Sequence, residues 1–302
     1  MVRNMKKTII TAALTGAMTP AGFNIPATPE EIAREAYEVW QLGAAIVHLH
    51  MRDDEGLGVM DAEKFRETIR LIRSHKDCDV VINCTSSGDA RVSDGNPEGN
   101  AVRMRHFKIL DGIEMGSYDA GSFNWMPSLV FVNSPQLLEE LGDTFMEKGI
   151  KPEIEIFDAG MLGVTEYFVK QGHLPSGTMH YQLCLGVLGA MPATVDNLMY
   201  LYEHLPAGST WSAFGVGNGH MPIMYATLAL GGHIRVGMED NVIFGKDKDG
   251  NRISASNAML VERAVKAVNV FGNEPASSAE AREILGIPAF DGDAVRKKLG
   301  IN

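Results

Sequence analysis

Short apolar runs alternate along the chain with longer stretches in which apolar residues recur every three or four positions. The first pattern is that of buried strands and the second that of amphipathic helices. Strands are predicted at Lys7–Leu14, Ala44–Met51, Asp79–Cys84, Gly112–Met115, Pro152–Phe157, Thr178–Leu185, Thr210–Phe214 and His233–Met238. Helices are predicted at Thr28–Leu42, Ala62–His75, Glu98–Lys108, Pro135–Lys148, Leu162–Gln171, Val195–His204, Pro222–Gly231 and Ser254–Phe271, with a short tail helix at Ser277–Leu285. Capping chemistry supports the first helix: Thr28 is an N-cap residue, Pro29 suits the first helical position, and Glu31 completes a capping box. Eight strand-then-helix units over roughly 270 residues match an α/β protein of the (β/α)8 class, a TIM barrel with one helix per strand. A doubly wound open sheet would place a Gly-rich fingerprint after the first strand, where this chain has only Thr15-Gly16. No linker or repeat breaks the rhythm, and Asp247–Asn251 reads as a polar turn. Residues 1–302 are therefore expected to form a single barrel domain with a short C-terminal helical tail.

Composition changes this picture only by exclusion. The 302 residues are 45% apolar and 22% charged, ordinary for a globular protein with a large core. With 27 basic and 38 acidic residues the net charge is −11, which argues against a nucleic-acid partner. A local cluster of arginines and backbone N–H groups can still hold an anionic ligand in an acidic protein. Three unpaired cysteines, Cys78, Cys84 and Cys184, suit a reducing compartment, and a cytoplasmic location is expected. No apolar stretch reaches the ~20 residues of a membrane span. Lys6-Lys7 and the apolar run behind it have the outline of a signal peptide, but Thr8, Thr11 and Thr15 interrupt the run, and it reads better as the first strand.

In a barrel of this kind the working residues lie at the C-terminal ends of the strands. The second strand ends Val47-His48-Leu49-His50-Met51-Arg52-Asp53. Side chains alternate along a strand, so His48, His50 and Arg52 share one face and Val47, Leu49 and Met51 the other. Two imidazoles spaced in this way on one strand can share a cation at about 2.0–2.1 Å each. The eighth strand ends Arg235-Val236-Gly237-Met238-Glu239-Asp240-Asn241, and Arg235, Gly237 and Glu239 share a face. Strands two and eight have the same parity and feed the same interior layer, so Glu239 is expected to meet the histidine pair. Two histidines and one carboxylate leave positions open, as catalytic zinc requires. Asp240 is left as a candidate base, and Arg235 can hold that carboxylate or one on a substrate. Glu153 and Glu155 alternate with Ile154 and Ile156, so both acids point inward and one is expected to pair with Arg235. Thr85, Ser86, Ser87 and Gly88 after the third strand offer hydroxyls and N–H groups to a substrate carboxylate. The loop Gly215–His220 follows strand seven, where barrels often hold phosphate. Tyr118, Trp125, Trp211 and Phe214 are candidates for an aromatic wall or for core packing.

Together these motifs resemble the β-keto acid cleavage enzyme family. The resemblance runs over nearly the whole chain, through Thr11–Ala17, His48–Arg52, Gly116-Ser117, Gly121-Ser122, Pro152–Glu155, Ser256-Asn257 and Leu260-Val261, and is most specific over Gly231–Asn241. It implies a homo-oligomer, commonly a tetramer, with one Zn2+ per subunit. The implied reaction converts a β-keto acid and acetyl-CoA, the co-substrate, into acetoacetate and a new acyl-CoA by Claisen-type condensation, CoA transfer and retro-Claisen cleavage. By position, His48, His50 and Glu239 match the metal ligands, Asp240 the general base and Arg235 its partner. Thr85, Ser117 and Glu155 match active-site polar positions. Asp240 is expected to take a proton from the acetyl methyl of acetyl-CoA. This chain departs at Met18, where the best-known member has Glu; an apolar, polarisable surface there points to a less polar β-keto acid. Thr85 and Ser117 stand for Ser and Thr but keep a hydroxyl. Two other readings compete: a metal-dependent amidohydrolase-like hydrolase, with His180 as a strand-six ligand, and a non-catalytic barrel that binds a small acid.

Overall fold

The computed structural model describes residues 6–18, 20, 22–87, 95–127 and 129–301. Eight parallel strands close into a barrel in chain order: β1 (Ile10–Ala13), β2 (Ile46–Leu49), β3 (Val81–Cys84), β4 (Met115–Asp119), β5 (Lys151–Ile156), β6 (His180–Leu185), β7 (Thr210–Gly215) and β8 (His233–Val236), with β8 pairing back onto β1. The outer layer is α1 (Pro29–Gln41), α2 (Ala62–Ser74), α3 (Pro97–Ile109), α4 (Pro135–Lys148), α5 (Gly160–Gln171), α6 (Val195–Glu203), α7 (His220–Leu230) and α8 (Asn257–Val270). The capping box expected at Thr28 is formed, with Glu31 bonding back to the cap and Pro29 in the first turn.

Strand alternation sorts the side chains as the residue pattern demands. Val47, Leu49 and Met51 pack outward with Phe65, Ile69 and Ile72 of α2, and Ile154 and Ile156 of β5 join the same outer core. Inside the barrel the lowest layer is apolar. Ile9, Ile46, Val81 and Met115 meet Ala281 and Leu285 of α9 (Ser278–Leu285), so the predicted tail helix is the plug of the barrel floor. Burying one such Leu contributes about 1.5–3 kcal/mol. Above this layer the interior turns polar: Asn83 Nδ2 donates to Glu153 Oε1 at 2.7 Å, and Ser212 Oγ donates to Gln182 Oε1 at 2.6 Å. The C-terminal mouth lies on top of this buried polar layer, with the apolar floor beneath it.

Three features differ from the residue pattern. The fourth strand was expected at Gly112–Met115 and instead runs over Met115–Asp119. Gly112 turns at φ +87°, and Glu114 is drawn aside to Arg73 and Arg282, so pairing with β3 and β5 begins only at Met115. Three hairpins were not foreseen, Phe123–Trp125 with Leu129–Phe131, Ile243–Lys246 with Arg252–Ser254, and Met51–Arg52 with Gly58–Val59. The second carries the polar turn Asp247–Asn251 at its tip. The chain also adds α10 (Gly292–Lys298). Among the described residues, no helix is long and apolar enough to cross a membrane.

Candidate metal centre and active-site pocket

His48 lies on β2, and His50 follows it at the C-terminal mouth. Between β2 and β8 stands β1, whose residue opposite His48 is only Ala13. After β8 the chain bends at Gly237, which has φ +151°; a Cβ there would lie 1.9 Å from the Ala13 carbonyl oxygen. This close approach lets Glu239 N donate to Ala13 O at 3.2 Å and sends the carboxylate over β1. Gly16 leaves the room: a Cβ on it would lie 2.4 Å from Glu239 Cγ. The outcome is Glu239 Oε1 at 3.2 Å from His50 Nε2 and Oε2 at 3.8 Å from His48 Nε2. One donor atom from each of the three residues lies within 4.8 Å of the others. Glu239 Oε2 is buried and has no hydrogen-bond partner. Burial drives His48 well below the usual imidazole value, outweighing the pull of Glu239. A neutral imidazole is the form that ligates metal. Burial also works to raise Glu239, but Arg235, His50 and His48 outweigh it and hold the carboxyl below its ordinary range. Two imidazoles, an ionised carboxylate and its orphaned acceptor oxygen fit a divalent cation, with His48, His50 and Glu239 as its holders.

Arg235 organises the rest. Its Nε and one terminal nitrogen donate to Asp240 Oδ2 and Oδ1, both at 3.0 Å. The other terminal nitrogen donates to Glu155 Oε1 at 3.1 Å, while the one that meets Asp240 Oδ1 also lies 2.8 Å from Glu239 Oε1. The guanidinium also sits 4.5 Å above the Phe214 ring. Asp240 is thus clamped in a two-pronged grip, the strong form of the Arg–carboxylate bond, with Arg235 as the partner that the sequence offered it. Burial raises Asp240 to about 6, Arg235 opposing and Glu239 reinforcing the shift. Glu155 is raised well above the carboxylate range by burial and by Asp119, against the pull of Arg235. Glu155, not Glu153, is the acid that meets Arg235; Glu153 is held by Asn83.

These groups line a cavity of about 890 Å³ at the barrel mouth, together with Thr85, Ser87 and Met18. Thr85 Oγ1 donates to Ser87 O at 2.9 Å and accepts from Ser87 N at 3.0 Å. Ser86 and Ser117 do not reach the cavity: Ser86 N donates to Ser117 Oγ at 2.9 Å, and Ser86 Oγ donates to Asp119 Oδ2 at 3.1 Å. They brace Asp119, which does line it. Gly88 lies outside the described residues. Met18 is 55% exposed at the rim. Arg52 ties down the loop after β1, donating to Thr15 Oγ1 and Met18 O. Trp125 and Phe214 are on the cavity wall, whereas Tyr118 and Trp211 are core residues. Asp119 is not evident from the residue pattern, because a fourth strand that ends at Met115 stops short of it, whereas the observed strand runs on to Asp119 at the mouth. Gly16 is not evident either; its only signal is the space that Glu239 needs.

Residues 7–287 match the family model described as beta-keto acid cleavage enzyme. The chain belongs to that family. It is 38% identical over 285 residues to the 3-keto-5-aminohexanoate cleavage enzyme of Fusobacterium nucleatum, covering 94% of this chain and 99% of the relative. It is 32% identical to the 3-dehydrocarnitine:acetyl-CoA trimethylamine transferase of Rhizobium meliloti, covering 93% and 96% of the two chains. Among solved structures, apo ObcA superposes with a TM-score of 0.76 at 20% identity, which speaks to the fold; the match covers 87% of this chain and 65% of that one. Membership in the beta-keto acid cleavage enzyme family makes the chain an enzyme and displaces both competing readings. The geometry agrees over His180: its nitrogens face Thr210 Oγ1 at 3.0 Å and Ser212 Oγ at 3.1 Å, and it is not part of the candidate metal group found among the described residues.

Proposed function

We propose that this enzyme converts a β-keto acid and acetyl-CoA into acetoacetate and a new acyl-CoA, with zinc held by His48, His50 and Glu239. The observation that carries the reading is Asp240, buried, raised to about 6 and aimed by the Arg235 fork beside the His–His–Glu group. When bound, the cation supplies Lewis-acid polarisation of the substrate's oxygens.

Counting carbons decides where Asp240 acts. The acyl-CoA product keeps the R–CO of the keto acid, so acetoacetate takes its CH2–COO from the substrate and its CH3–CO from acetyl-CoA. The new bond therefore joins substrate C2 to the thioester carbonyl carbon. The proton that Asp240 removes comes from C2, not from the acetyl methyl as the sequence reading had it. C2 lies between two carbonyl groups and is the more acidic position. The C2 carbanion attacks the thioester carbon, and the CoA sulfur passes to the keto carbon. The C2–C3 bond then breaks, leaving acyl-CoA and a carbanion at C2 of acetoacetate, which recovers the proton from Asp240. A base that works in both directions needs a pKa near the operating pH, which burial provides here. Arg235 fixes the Asp240 carboxylate, Glu155 tops up the same fork, and Thr85 and Ser87 face the substrate carboxylate. Ser86 and Ser117 act from behind through Asp119. Met18, Trp125 and Phe214 offer the R group an apolar wall. We propose further that the chain works as a single barrel domain, assembled as a cytoplasmic homotetramer.

The test is a panel of β-keto acids labelled at C2 and supplied with acetyl-CoA. The expected result is acetoacetate carrying the label at its own C2, in equal amount with a new acyl-CoA, and faster with apolar R groups than with an ammonium-bearing one. Labelled C2 retained in the acyl-CoA product would overturn the sequence of steps, and no acetoacetate from any substrate would overturn the reading.

A further inference from the structure

The cavity is larger than a small keto acid needs, and one wall of it lies outside the chemistry described above. That wall is the hairpin Ile243–Lys246 with Arg252–Ser254, which follows β8, and the adjoining face of α8. Lys246 and Arg252 are direct cross-strand partners in the hairpin, and both line the cavity. Like charges placed directly opposite each other on neighbouring strands repel. Arg263 of α8 adds a third positive charge beneath them. It donates to Phe244 O at 2.7 Å, its guanidinium lies 4.1 Å from the Phe244 ring centroid, and its Nε and one terminal nitrogen are buried without a partner. Among the described residues, no carboxylate lies within ion-pair distance of Lys246, Arg252 or Arg263. The nearest acid in sequence, Asp247, is occupied by Asn251 N and Nδ2. In a chain of net charge −11, three unneutralised cations on one wall of one pocket form a local field for an anion.

We propose that this wall is the phosphate subsite of the CoA thioester: Lys246 and Arg252 hold phosphate oxygens of its nucleotide end, and Arg263 supplies fixed charge under Phe244. The inference rests on the CoA-dependent reading above and names the part of the cavity that reading leaves unused. A CoA thioester is long, with its reactive carbonyl at one end and its phosphates at the other. A cavity that joins the His–His–Glu group at one wall to a cationic hairpin at another matches that distribution of chemistry. The keto acid, with one carboxylate to be met at the reacting end, needs no such second site.

The double variant Lys246→Glu with Arg252→Glu changes two exposed side chains and tests the proposal. The KM for acetyl-CoA is expected to rise about tenfold or more, and in the native enzyme to rise with salt, because exposed charge pairs are screened. The KM for acetyl-pantetheine, which carries no phosphate, is expected to move by less than about twofold, since it never meets these charges. Equal KM values for acetyl-CoA in both proteins, or a parallel rise for both thioesters, would overturn the subsite. Titration of CoA itself separates this proposal from the catalytic reading. If neither protein turns over any thioester but the variant binds CoA about tenfold more weakly, the subsite stands and the reaction does not. Equal CoA binding overturns the subsite whatever the turnover.

Discussion

Asp240→Asn is expected to lower kcat by about 10²–10⁴-fold, the usual range for loss of a general base, and to leave the metal content of the purified protein at the level of the native enzyme. The amide is nearly the same size as the carboxylate and keeps one acceptor for the Arg235 fork, so the side chain stays in place. What it loses is the ability to take a proton from C2 and to return it after C–C cleavage. Asp240 shares no ligand atom with the His48–His50–Glu239 group, so cation binding is expected to persist. Steady-state kinetics beside metal analysis of the same preparation checks both halves. Near-native kcat would remove Asp240 from the chemistry, and loss of metal with loss of activity would recast it as a support of the centre.

Arg235→Met is expected to be the most destabilising single change at the mouth, costing about 3–5 kcal/mol. The side chain is buried and serves Asp240, Glu155 and Glu239 at once. Methionine fills much of the space but strands three carboxylates away from water. The penalty is the desolvation of those acids, not only the loss of the bonds to Arg235. Arg235→Lys discriminates between charge and geometry. A single ammonium restores part of the stability but cannot reproduce the planar fork on Asp240, so kcat is expected to remain low. Chemical denaturation and kinetics of both variants provide the check. An Arg235→Lys enzyme with native kcat would show that only the positive charge matters.

The parts of the site that could be read in the residues are those governed by strand alternation. His48 with His50, and Arg235 with Glu239, each fall on one face by a two-residue period, and the barrel's polarity puts those strand ends at one mouth. Thr28 and Glu31 announced the first helix for the same local reason. What was not legible depends on packing between distant segments. Gly16 matters because Glu239 lies against it, and no pattern near position 16 carries that information. Asp119 was hidden because a short apolar run does not fix where a strand begins, and the turn at Gly112 delays it. Ser86 and Ser117 looked like ligands for substrate, yet their hydroxyls are used on each other and on Asp119. Lys246 and Arg252 flank what reads as an ordinary polar turn, and only the folded hairpin shows them side by side in the cavity wall.

The most direct measurement is calorimetric titration of Zn2+ into metal-free native protein, His50→Ala and Glu239→Gln. The account predicts one tightly held ion per chain in the native protein, with affinity reduced by at least about 100-fold in each variant and the fold retained by circular dichroism. A native protein that takes up no stoichiometric ion, or variants that bind it as tightly as the native chain, would contradict it.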